Sequence, residues 1–119
     1  EWYTVAVITC AAPNLRVMPS NLFNPCAGNR QAEISKEELL KLQETRIERI
    51  FAIAATHGID VLILGAFGCG AFCNSPEVVA KAFANVQEKY MGCFEIIEYA
   101  IYCREYEITN YEAFCSIME

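Results

Sequence analysis

The residues best suited to chemistry lie in one stretch, Gly65-Ala66-Phe67-Gly68-Cys69-Gly70-Ala71-Phe72-Cys73-Asn74-Ser75-Pro76. It follows a short apolar run, residues 59–64, and leads into a helix that Pro76 suits at its first position and Asn74 or Ser75 can cap. In open α/β sheets ligands collect beyond the carboxyl ends of strands, where a helix amino terminus offers unpaired N–H groups and a partial positive charge. Gly65, Gly68 and Gly70 let backbone approach a diphosphate without a Cβ in the way, and Cys69, Ala71 and Phe72 complete the loop. The stretch can cradle phosphate. A tight strand-to-helix turn would use glycine at the same spacing, so spacing alone does not separate the two.

Other chemistries fit less well. A Walker A loop ends in Gly-Lys-Ser/Thr, and the dinucleotide fingerprint is G-x-G-x-x-G where this loop reads G-x-x-G-x-G. Cys69 and Cys73 are spaced for half a zinc site, yet His57, the single histidine, lies at the far end of another helix. Cys69 beside a helix start could carry a lowered pKa, but no general base accompanies it. Neither a metal nor a resident cofactor is expected.

The elements that position this loop follow from periodicity. Residues 2–10, with Tyr3, Thr4, Val5, Val7, Ile8 and Thr9, read as a buried strand that Ala11, Ala12, Pro13 and Asn14 end. Residues 15–34 carry Pro19, Pro25 and Gly28 without a sustained period and read as an irregular excursion. Ser35 and Glu38 form a capping box for a long amphipathic helix with Leu40, Ile47, Phe51 and Ala54 on one stripe, closed by Gly58. Residues 59–64 suit a strand covered on both faces. Val79, Ala82, Phe83 and Val86 mark the second helix, residues 94–103 a third strand, and Thr109 or Asn110 the cap of a short last helix. Strand and helix alternate, which predicts an α/β layer with parallel pairing.

Composition sets the bounds. At 119 residues, 55% apolar and 20% charged, the chain suits one packed domain. No apolar run reaches the ~20 residues of a bilayer span, and no basic-then-apolar leader opens the chain, so a soluble, cytoplasmic protein without membrane partners is expected. The net charge of -6 and the lack of a basic cluster argue against DNA or RNA, and leave a nucleotide ligand to be held by backbone dipoles. Seven cysteines (Cys10, Cys26, Cys69, Cys73, Cys93, Cys103 and Cys115), an odd number with no C-x-x-C, point to reduced thiols. The chain opens at Glu1 directly onto a strand, which suggests a piece of something longer.

Residues 64–80, Leu64-Gly65-Ala66-Phe67-Gly68-Cys69-Gly70-Ala71-Phe72-Cys73-Asn74-Ser75-Pro76-Glu77-Val78-Val79-Ala80, followed by Phe83, resemble the hallmark of microbial-type poly(ADP-ribose) glycohydrolases. Ala11-Ala12-Pro13-Asn14, Arg46 and Ile47, Tyr99-Ala100-Ile101, Asn110 and Phe114 resemble the same family. The resemblance implies the carboxyl-terminal part of a macrodomain-like three-layer α/β/α fold, incomplete here, with about three strands and three helices in one domain over residues 1–119. It further implies that residues 68–72 wrap the diphosphate of ADP-ribose or its polymer, with Phe72 against the distal ribose and Asn14 among the ligand-binding residues. Adenine would stack on Tyr102 or Phe114.

One part of the family pattern has no match. Its catalysis rests on Gly-Gly-Gly followed by Gln-Glu-Glu, whereas here Gln31-Ala32-Glu33 follows only Gly28, and Gln43-Glu44 and Gln87-Glu88 fall in predicted helices. No catalytic residue is therefore assigned. The intact parent would hydrolyse ribose–ribose glycosidic bonds, a glutamic acid protonating the leaving oxygen, while this chain alone would bind weakly and turn over nothing. A non-catalytic ADP-ribose-binding module and a structural domain that dimerises through its truncated sheet are the alternatives.

Overall fold

The structure, a computed structural model, describes residues 2–118; Glu1, on which the expectation of a longer parent rests, lies outside them. Three helices and two strands alternate: α1 (Lys36–Thr56), β1 (Val61–Leu64), α2 (Pro76–Lys89), β2 (Ile96–Tyr99) and α3 (Thr109–Met118), after a single 3-10 turn at Pro25–Ala27. The capping box forms as its sequence dictates, Ser35 Oγ accepting from the Glu38 amide at 3.2 Å while the Ser35 amide donates to the Glu38 carboxylate at 3.0 Å. That backbone bond, with the Ser35 hydroxyl, holds the Glu38 carboxyl below its ordinary range. At the other end Gly58 takes φ +62°, the left-handed conformation that stops the helix.

β1 and β2 pair in parallel with Val61 beside Ile96 and Leu64 beside Tyr99, joined by the crossover through α2. Alternation decides what each face meets. Leu62 and Leu64 are buried among Ile47, Phe51 and Ala54 of α1, Val79, Phe83 and Val86 of α2, and Phe114 of α3, with Ile97 and Tyr99 packed against them. Val61, Ile63 and Ile96 point the other way and are exposed. All three helices thus serve one face. This is the α/β class expected, with two layers of the three in place among the described residues.

The first predicted strand requires correction. Residues 2–10 form no strand or bridge, and Val5 and Val7 are 76% and 80% exposed. They run beside an open apolar cleft of about 890 Å³ whose other wall is β1 and the end of α1. β-branched residues make a strand only when a neighbouring edge supplies the ladder bonds, and here only Ile8 reaches the core. The radius of gyration, 15.3 Å against about 13.5 Å for a compact chain of this length, reflects that extended arm. β1 starts two residues later than expected and ends where expected, β2 is shorter at both ends, and α3 begins at Thr109 itself, so neither Thr109 nor Asn110 stands before it as a cap. Among the described residues no helix is long and apolar enough to cross a membrane.

Candidate functional site

The loop between β1 and α2 is built on Asn74. Its side chain is 2% exposed, and its Nδ2 donates to the carbonyls of Pro13 at 2.8 Å, Gly68 at 3.0 Å and Phe72 at 3.2 Å. Its Oδ1 accepts from Gln43 Nε2 of α1 at 2.8 Å. One amide side chain so ties the end of the first segment, both limbs of the loop and the long helix. The sequence offers Asn74 or Ser75 as the cap of α2; Ser75 holds the position before Pro76, without a side-chain cap bond, and Asn74 serves the loop instead. Gln43 was missed altogether, although it falls between Leu39 and Ile47 at helical spacing on the buried stripe. Its Oε1 is the buried side-chain oxygen without a partner among the described residues.

The glycines divide by role. A Cβ on Gly68 would come within 2.5 Å of Ala12 Cβ and 2.7 Å of Asn74 Nδ2, and Gly68 adopts φ +78°, so the fold itself requires glycine there. Gly70 has open space around its missing Cβ, and Gly65 would meet only the Ala100 carbonyl at 3.8 Å. The loop folds back through Cys69 N–H to Ala66 O, Cys73 N–H to Gly70 O and Asn74 N–H to Gly68 O, each 3.0 Å. The amides of Gly70, Ala71 and Phe72 donate to nothing among the described residues. Gly70 and Ala71 are exposed and Phe72 is half-buried, so three successive N–H groups remain free for an acceptor. Cys73 closes the turn at φ +55°.

The helix end contributes less than expected. Pro76 has no N–H, and the Ser75 hydroxyl donates to the Glu77 carboxylate at 2.7 Å in place of capping. That bond holds the Glu77 carboxyl below its ordinary range, so a negative charge already occupies the first turn. Anion capacity therefore resides in the loop. Cys69 departs from expectation in the opposite direction: burial, with the Glu77 charge as a lesser cause, pushes its thiol up to about 12. Burial thus argues against a nucleophilic thiolate at this position. No three His, Cys, Asp or Glu side chains gather as a metal site among the described residues.

The remaining candidates separate. Asn14 lies near the loop but is engaged internally, Nδ2 donating to Pro19 O at 3.2 Å and Oδ1 accepting from Arg16 N and Nε at 3.3 Å. Arg16 stands over the Phe72 ring, 5.3 Å from its centroid, and Leu15 N–H donates to Phe72 O at 3.0 Å. The excursion is thus fastened to the loop. Arg46, on α1, donates to Ala11 O and fixes the end of the first segment. Tyr102 is 84% exposed just past β2, with a free surface. Phe114 is 3% exposed between Phe83 and Tyr99, centroids 6.0 and 5.7 Å away, so it is a core residue with no face for a ligand.

No family model matches the chain, and no curated protein matches it. Solved structures do. Poly(ADP-ribose) glycohydrolase from Deinococcus radiodurans, in complex with ADP-ribose, superposes with a TM-score of 0.65 and 30% identity over 69% of this chain. A point mutant of that enzyme, also with ADP-ribose, gives 0.66 and 31% over 70%. The chain spans about a third, 34%, of the length of either. Over most of its own length it is therefore similar, in fold and in residues, to part of a poly(ADP-ribose) glycohydrolase.

Proposed function

We propose that this chain holds ADP-ribose, free or as the end of its polymer, through the main-chain amides of residues 68–72. The diphosphate lies against the N–H groups of Gly70, Ala71 and Phe72, the distal ribose packs on Phe72, and adenine stacks on Tyr102. One observation carries the reading: the three consecutive amides of Gly70, Ala71 and Phe72 donate to nothing among the described residues, on a loop that Asn74 pins through the carbonyls of Gly68 and Phe72. A run of unpaired amides favours an anion without needing a lysine cluster. The solved enzyme of similar fold was crystallised with ADP-ribose, which supports the choice of ligand.

Hydrolysis is proposed for a longer parent only. A Gly-Gly-Gly followed by Gln-Glu-Glu in its upstream reading frame would supply the acid that protonates the leaving ribose oxygen. The second reading, a module that binds without cleaving, is favoured by the lack of that motif within these 119 residues. Seven free thiols support a reducing, cytoplasmic setting.

Calorimetric titration with ADP-ribose tests the reading. Gly70→Trp meets no protein atom where its Cβ would sit, so it should leave the fold intact and fill the cradle. Wild type should bind and the variant should lose at least about tenfold, ~1.4 kcal/mol. Equal binding by both removes the loop from the function.

A further inference from the structure

We infer that Arg16 is the charged contact of this site, its guanidinium placed over Phe72 by Asn14 so that its terminal nitrogens meet the diphosphate held by the loop amides. The inference rests on the proposed reading of residues 68–72 as a diphosphate cradle. Composition alone left the ligand to backbone dipoles, because no basic cluster exists in a chain of net charge -6. The fold brings one arginine to the loop regardless.

Four contacts fix it there. The guanidinium carbon is 5.3 Å from the Phe72 centroid, a cation over an aromatic face. Nε donates to Asn14 Oδ1 at 3.3 Å, and Asn14 is itself anchored to Pro19 O at 3.2 Å. Leu15, one residue before, donates its amide to Phe72 O at 3.0 Å, so the backbone that leads into Arg16 is held to the loop. Arginine uses one nitrogen in these bonds. Its two terminal nitrogens have no hydrogen-bond or carboxylate partner among the described residues, whereas Lys89 pairs with Glu48 and Arg30 with Glu33.

The chemistry of the ligand follows. A guanidinium with two free terminal nitrogens matches adjacent phosphate oxygens, and the neighbouring free amide belongs to Phe72 itself. Charge and dipoles converge on one anion. Asn14, expected from the sequence to touch the ligand, has both ends of its side chain committed, so it is a positioning residue that acts through Arg16.

Titration with ADP-ribose at low and at roughly tenfold higher ionic strength tests this, since a charged contact is screened and a neutral one is not. Arg16→Gln keeps the stem on Phe72 and removes the charge; Arg16→Lys keeps the charge. With thermal midpoints unchanged, Arg16→Gln should bind on the order of tenfold more weakly at low salt and lose most of the salt dependence, as removal of one charge-assisted contact predicts. Arg16→Lys should keep the salt dependence. Asn14→Ala should weaken binding in wild type and add nothing in Arg16→Gln. The inference is overturned if Arg16→Gln binds as wild type does, or binds more weakly with the salt dependence intact. If wild type fails to bind, or Gly70→Trp binds equally, the cradle reading falls as well; if Gly70→Trp alone abolishes binding, only the role of Arg16 falls.

Discussion

Gln43 and Asn74, 31 residues apart in the chain, share a buried hydrogen bond of 2.8 Å that couples the long helix to the loop after β1. Both side chains are almost wholly inaccessible, and Asn74 spends its two donor hydrogens on three carbonyls. A buried amide satisfied on every side specifies one arrangement of its neighbours, because any shift strands a polar group.

Asn74→Ala should therefore cost about 3 kcal/mol, the sum of about 0.5 kcal/mol for each of its four lost bonds and about 1 kcal/mol for the orphaned Gln43 amide. Thermal unfolding should fall by about 10 °C for a domain of this size. A variant melting within about 2 °C of wild type would deny Asn74 its organising role.

Gly68 and Gly70 should behave oppositely. Gly68→Ala places a Cβ against Ala12 and Asn74 at positive φ, so it should destabilise by about 2 kcal/mol or more. Gly70→Ala meets open space and should change stability by less than about 0.5 kcal/mol. Urea denaturation of the two variants checks the contrast. Comparable losses would mean that both glycines serve only the turn.

How much of this could be read beforehand differs by element. Ser35 with Glu38, Gly58, and Pro76 at the start of α2 act through neighbours within four residues, so local chemistry revealed them. The site loop was legible because glycines between a strand and a helix have few uses. The arm at residues 2–10 was misread because its β-branched residues report a preference for a pleated surface, not the presence of one. Gln43–Asn74 and Arg16–Phe72 join distant stretches, and nothing in either local sequence names the other partner. Phe114 looked like a stacking aromatic and is core, a distinction made by Phe83 and Tyr99 packing on it.

Thiol reactivity should follow environment. At pH 8 a thiol whose pKa lies at about 12 is ionised to only about one part in ten thousand. Cys73 is exposed on the same loop. Alkylation followed by mass spectrometry should modify Cys73 well before Cys69. Preferential labelling of Cys69 would restore the reactive thiolate that burial argues against.

The exposed sheet face allows a test of association. Ile63 is 65% exposed beside Val61 and Ile96, whereas Leu62 on the opposite face is 7% exposed. If two copies meet across this two-stranded sheet, light scattering should give a dimer for wild type and a monomer for Ile63→Lys, with the fold retained. Leu62→Lys should unfold the chain, since it buries an unpaired charge. A wild type that stays monomeric at high concentration rejects the dimer.

The central claim is that backbone amides at the end of β1 hold a diphosphate, and amide-resolved NMR tests it directly. On addition of ADP-ribose to ¹⁵N-labelled chain, the resonances of Gly70, Ala71 and Phe72 should move downfield together and saturate. If they stay in place while ligand binds elsewhere, or if saturating ADP-ribose moves nothing, the account is contradicted.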